Sequence, residues 1–197
     1  MNHIKAITEI LERQSGIVTT AQINAAGIPR LYLSKMTAKK LLQKVDRGIY
    51  AAPEAWEDEM FILQYKYSKG IFSHETALYI HGFSDRTPTR FVMTFPYGYH
   101  AKSISGTNIL MKKALKKIYE LGIVESKTPF GNTIRLYDLE RTLCDIVKGN
   151  NVCDIQIVNQ AMKRYALSKE KNISRLLEYA ELLRVKSKIV AYLEVLL

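Results

Sequence analysis

Only two cysteines, Cys144 and Cys153, occur in the 197 residues, and they form neither a CxxC pair nor a metal-ligand spacing. Their neighbours Leu143, Ile146 and Ile155 are apolar, so two reduced core thiols are expected rather than a disulfide framework or a zinc site. A run of about 18 apolar residues is also lacking, which argues against a transmembrane helix. Glu9 and Glu12 precede any apolar run that could serve as a secretion signal. A soluble, cytoplasmic protein with no membrane partner is therefore expected. No glycine-rich phosphate loop, nucleophile elbow, Cys/His dyad, internal repeat, heptad pattern or low-complexity tract is found, and no cofactor is expected.

What is present is positive charge on an ordinary globular composition. Hydrophobic residues make up 47% and charged residues 24%, enough apolar side chains for a core and too little net charge for disorder. The 29 basic residues outnumber the 19 acidic ones, for a net +10, an excess that favours a polyanionic partner. The excess is uneven. Residues 1–55 hold 8 basic and 4 acidic side chains, residues 56–100 hold 4 and 5, residues 101–135 hold 7 and 2, and residues 136–197 hold 10 and 8. Two basic zones thus flank a near-neutral one.

The first fifty residues contain the strongest local pattern. Ile4, Ile7, Ile10 and Leu11 fall on one stripe of a first helix, which Gly16 ends. Ile17-Val18 allows a brief strand, and Thr19 or Thr20 then caps a second helix with Ile23 and Ala26 inward. Gly27-Ile28-Pro29 makes the turn, because proline suits the first turn of the following helix. The third helix is expected over 29–42, with Leu31, Ser34, Ala38, Leu41 and Leu42 inward and Tyr32, Lys35, Met36 and Lys39 on another face. Asp46-Arg47-Gly48-Ile49-Tyr50 reads as a hairpin tip between β-prone residues. This order is that of a winged helix-turn-helix, whose third helix enters a major groove.

The expected DNA-binding residues are Thr20, Gln22, Arg30, Tyr32, Lys35, Lys39, Lys40, Lys44 and Arg47. The lysines and Arg47 would neutralise phosphates, and Arg30 and Tyr32 would approach bases or the groove edge. The competing explanation of the lysines is a solvated helix face. Tyr32 and Met36 are open to packing against the second helix instead.

A linker at Ala52-Pro53-Glu54 separates an expected DNA-binding domain, 1–53, from an α+β domain, 54–197. The second domain should start with a helix over 56–68, a short strand at 71–73, and a helix from Ser73 or His74 to Gly82. Strands are expected at 90–95, 108–111, 123–126 and 133–137, the last two flanking Gly131-Asn132. Four helices should follow, the first three capped by Asp138, Asp154 and Asn172, so that a mixed α/β region ends in a helical bundle.

Three constellations invite chemistry. His74 and His81 lie seven residues apart, but zinc sites prefer steps of three or four and no third ligand stands out, so no metal is expected. Asp138, Glu140, Asp145 and Lys148 resemble the parts of a metal-dependent nuclease, although Asp138 also suits a cap and Glu140 and Arg141 a first helical turn. The block Lys112, Lys113, Lys116 and Lys117 is the densest charge. It is a solvated surface, a second nucleic-acid contact or a docking patch for an acidic partner.

Taken together, Arg47-Gly48-Ile49-Tyr50, then Ser73-His74-Glu75-Thr76-Ala77-Leu78 with His81-Gly82, then Tyr137-Asp138-Leu139-Glu140-Arg141-Thr142-Leu143-Cys144-Asp145 resemble the AbiEi antitoxins. The most specific part is Glu140 to Leu143 with Asp145; the winged helix alone is shared with many regulators. The resemblance implies a non-enzymatic antitoxin of a type IV toxin–antitoxin pair that limits phage spread. It implies a winged helix that represses its own operon by binding inverted repeats in double-stranded DNA. It further implies a C-terminal domain that counters an AbiEii-type, nucleotidyltransferase-like toxin without a stable complex. A monomer is expected in solution. Arg141 and Asp145 are motif positions with an antitoxin or a structural role. Two rival readings stay open: a winged-helix regulator whose second domain senses a ligand and which has no toxin partner, and the nuclease.

Overall fold

The computed structural model describes residues 3–100, 102–149 and 153–197. Two compact units divide the chain: Met1–Ser68 with Lys127–Ile134, and Lys69–Ser126 with Arg135–Leu197. The expected boundary after residue 53 falls inside the first unit.

The first unit runs α1 (His3–Arg13), β1 (Ile17–Thr19), α2 (Thr20–Ala25), α3 (Leu31–Ala38), β2 (Gln43–Asp46), β3 (Ile49–Ala51) and α4 (Glu59–Lys66). The strands form an antiparallel sheet in the order β1-β3-β2. Successive residues of a strand face opposite ways, and β1 uses this to serve two cores. Val18 joins Ile7, Ile23, Leu33 and Met36 under the helices, while Ile17 joins Ile49, Ala51 and Ile62 on the other side. Gly16 before β1 has φ +82°, and a Cβ there would lie 2.6 Å from that of Ala55. Backbone conformation and space both demand glycine.

Two details of α3 differ from the sequence reading. The helix stops at Ala38 because Lys40 takes a left-handed φ of +58°, with Leu41 N donating to Met36 O and Lys40 N to Thr37 O. This is a Schellman ending built without glycine, so its usual sequence mark is missing. The buried face is Leu33 and Met36, with Leu33 at 1% exposure and Leu31 at 60%. Ser34, Ala38 and Leu41 are exposed as well, as is Ala26 in the preceding turn, and only Leu42 of the expected inward set is buried.

The second unit contains β4 (Ile71–Phe72), α5 (His74–Ile80), β5 (Phe91–Pro96), β6 (Ile109–Ala114), α6 (Lys116–Tyr119) and most of β7 (Ile123–Lys127) and β8 (Thr133–Tyr137), whose ends at Lys127 and Thr133-Ile134 are counted with the first. After these come α7 (Leu139–Val147), α8 (Ile155–Leu167), α9 (Ile173–Leu182) and α10 (Lys186–Leu196). The sheet order is β6-β5-β4-β8-β7. β5 pairs antiparallel with β4 and parallel with β6, and β4 pairs parallel with β8. The carboxylates of Asp138 and Asp154 and the amide oxygen of Asn172 accept from the first-turn N–H groups of α7, α8 and α9, as their positions before apolar-periodic runs predict. Leu143, Ile146, Val158, Met162, Leu176 and Ile189 then share one core. The fold is α+β: a winged helix-turn-helix, then a mixed α/β region closing in a helical bundle. Among the described residues, no helix is long and apolar enough to cross a membrane.

Candidate nucleic-acid interface

α3 and the β2–β3 hairpin present their cations outward. Lys35, Lys39, Lys40, Lys44 and Arg47 are all exposed, and among the described residues none forms an ion pair. Tyr32 is half-buried: its ring lies 4.7 Å from that of His3, and Lys35 Nζ sits 5.3 Å from its centroid. Met36 is buried in the helical core, not on the outer face assigned to it. Arg30 is exposed, and its Nε donates to Asn24 Oδ1 at 3.1 Å.

Two of the expected contacts are occupied within the protein. Gln22 closes a capping box, where its Oε1 accepts from Thr19 N at 2.8 Å and Thr19 Oγ1 accepts from Gln22 N. Its Nε2 donates to Gln14 Oε1, so both ends of the amide are engaged. Thr20 N donates to Gly48 O at 2.8 Å, and Thr20 Oγ1 lies 3.3 Å from the Tyr65 hydroxyl. Thr20 therefore ties the start of α2 to the hairpin tip.

That tip is braced from α4 as well. Gly48 has φ +79°, and a Cβ there would come 2.8 Å from Thr20 Oγ1. Asp46 accepts from Lys66 Nζ at 2.8 Å and from Arg47 N at 2.6 Å. The Lys66 bond first, and the Arg47 backbone bond second, hold its carboxyl below the usual carboxylate range. The one acid on the hairpin is thereby neutralised, which leaves Arg47 unopposed. A cavity of about 430 Å³ opens here, lined by Thr20, Arg30, Arg47, Gly48, Tyr65 and Lys66 among others. The sequence reading missed Tyr65 and Lys66, which lie beyond the expected module and carry no local signal of contact with residues 20 and 46.

In the second unit the family-motif residues are interior. Arg141 is 2% exposed. Its Nε donates to both oxygens of Asp145 at 3.1 Å, and its Nη1 donates to the carbonyls of Ile118 and Leu121. Its guanidinium carbon lies 4.2 Å from the Tyr137 ring centroid. Glu140 accepts from the Tyr165 hydroxyl at 3.0 Å and from Asn172 N at 3.2 Å. Asp138 accepts from Arg141 N and from the Tyr179 hydroxyl. Burial raises its pKa above the ordinary 3.8 despite those bonds. The carboxylates suggested for a nuclease are thus spent on a cap, a helix junction and an arginine. The two histidines diverge: His81 Nε2 contacts Tyr137 O at 2.8 Å, whereas His74 Nδ1 lies 3.0 Å from Ser73 Oγ.

The four-lysine block is split by the fold. Lys112 and Lys113 sit on β6 and line a cavity with His74, Thr94, Arg141, Asp145 and Lys148. Lys116 and Lys117 lie on α6 and do not line it.

Three helices, α1 to α3, with an antiparallel three-stranded sheet, exposed lysines on and just after the third helix and a basic hairpin tip make a winged helix-turn-helix. Residues 5–53 match the family model described as "Transcriptional regulator, AbiEi antitoxin", which bears out the AbiEi resemblance over this module. Comparison with curated proteins found no match. Among solved structures, the chain is similar to the RV2827C protein from Mycobacterium tuberculosis, with 12% identity and a TM-score of 0.48 over 97% of this chain and 79% of that one.

Proposed function

We propose that the protein is an antitoxin that also represses its own operon. In this reading α3 lies in the major groove of promoter inverted repeats, Lys35, Lys39, Lys40, Lys44 and Arg47 hold phosphates, and Arg30 and Tyr32 reach the groove edge. Thr20 and Gln22 position the module rather than contact bases. The carrying observation is that these five cations stand exposed on one module and, among the described residues, outside any ion pair. That same module is the one matched by the AbiEi regulator family. The second unit, by the same resemblance, counters a nucleotidyltransferase-like toxin in the cytoplasm without a lasting complex, as part of a type IV phage-defence pair.

The test is a mobility-shift titration against the DNA upstream of the operon at several salt concentrations. Neutralising about five phosphates gives a log–log slope of roughly −4 to −5. Absence of binding, or binding indifferent to salt, removes the repressor reading. Rescue of cells arrested by a neighbouring toxin gene tests the other half. A regulator without a toxin partner would bind DNA in the first assay and fail in the second.

A further inference from the structure

The cavity beside β6 holds a convergence of charge that neither the DNA reading nor the bundle requires. We propose that the second unit binds a small phosphorylated ligand there, held by Lys112 and Lys148 with His74 and Thr94 at its wall. The space is about 380 Å³, within the range of roughly 300–1,000 Å³ usual for small-molecule sites. Its cations come from separate places in the chain, β6 and the end of α7. Among the described residues no carboxylate pairs with the Lys112 or Lys148 ammonium group. The single acid in the wall, Asp145, is already bound to the Arg141 guanidinium. An oxyanion with several acceptor oxygens is the complement of such a site.

His74 adds an independent mark. It takes a left-handed φ of +52°, a strained state for a residue with a Cβ and one that clusters at ligand sites. Burial chiefly lowers its pKa; the charges of Lys112, Arg141 and Lys148 lower it further, while Asp145 raises it. The ring therefore stands within the field of those cations. Thr94 Oγ1 donates to Ser73 Oγ at 2.9 Å, which fixes the segment beside it. Edge-strand protection explains lysines on β6, since β6 is the outer strand of its sheet. It does not explain Lys148, which follows a helix, nor His74. The charges surround a concavity instead of tracking along a face, which favours a compact anion over a nucleic-acid backbone.

The experiment is calorimetric titration of the full chain with pyrophosphate and with ADP at fixed ionic strength. Lys112→Gln/Lys148→Gln is compared with the control pair Lys116→Gln/Lys117→Gln, and the His74 ring is followed by NMR. One saturable site is expected. The affinity should fall about tenfold or more in the first variant, by loss of charge-assisted bonds, and stay nearly unchanged in the second. The His74 titration midpoint should rise when the anion binds. ADP binding more tightly than pyrophosphate assigns the ligand to nucleotides, and equal binding assigns it to the phosphate group alone. The proposal is overturned if neither anion saturates a site, if both variants weaken binding alike, or if only an oligonucleotide binds there. If the double variant fails to fold, Lys112→Gln and Lys148→Gln made singly decide the matter: each should weaken binding, and native affinity in both overturns the proposal.

Discussion

Arg141 has the type and position of a functional residue in the sequence and the surroundings of a structural one in the fold. Buried in α7, it satisfies Asp145 and closes the 118–121 segment through two carbonyls. Removing one member of a buried ion pair strands the other charge, a loss of about 3–5 kcal/mol. Arg141→Ala should therefore lower the urea midpoint of the full chain sharply. Arg141→Lys should restore little, because a lysine cannot reproduce the planar fork. A midpoint within error of the native protein would return Arg141 to the list of contact residues. His74 supplies a second residue-scale expectation. Its folded pKa lies below the ordinary 6.5, so near pH 6.5 the unfolded chain takes up a proton that the folded one does not. Stability is then present above about pH 6.5 and is lost as the pH falls toward the folded value. Asp138, shifted upward, acts in the opposite sense. Comparing melting temperatures of native protein and His74→Gln from pH 7.5 downward isolates the histidine contribution, and parallel curves would refute it.

At the scale of elements, the winged helix was legible because each of its turns is marked: Thr19 for a cap, Gly27-Ile28-Pro29 for a reversal, Arg47-Gly48 for a hairpin tip. The inward face of α3 was not. Leu31, Ala38 and Leu41 lie at plausible helical steps, but the helix is eight residues long and ends on a left-handed lysine, so the alternative stripe through Leu33 and Met36 meets the core. Leu33→Ala should cost about 2–5 kcal/mol, while Leu31→Ala should be nearly neutral in the same denaturation experiment. On the opposite side, Lys35→Ala and Lys39→Ala should each reduce the salt slope of DNA binding by about 1 and weaken all sequences alike. An unchanged slope would assign both lysines to a solvated face. α7 posed a different difficulty. Its amphipathic pattern was clear, yet Glu140, Arg141 and Asp145 are buried too, and only the distant partners at 118–121, 165 and 172 reveal why.

For the whole chain, charge sign and the proline linker pointed to a division near residue 53, whereas packing places the end of the first stretch at Ser68. The reason is the second core of the first unit. Ile17 and Ile49 are sealed by Ile62 of α4, a contact spanning more than ten residues in sequence that no local pattern announces. A fragment ending at residue 53 uncovers those side chains, so it should melt well below one ending at residue 68, or lack a cooperative transition. The longer fragment still lacks Thr128 and Asn132. Their hydroxyl and amide donate to Asp58 Oδ2, while Asp58 Oδ1 caps α4 at Phe61 N. In a fragment, water can replace those donors at the carboxylate. In the full chain, Asp58→Ala leaves two buried donors without their acceptor, at about 1–3 kcal/mol each, and also removes the cap. Scanning calorimetry should therefore rank the fragment ending at 53 below the one ending at 68, and the full-length Asp58→Ala variant below the native protein. Equal melting of the two fragments would support a division at residue 53 and make α4 dispensable to the winged unit.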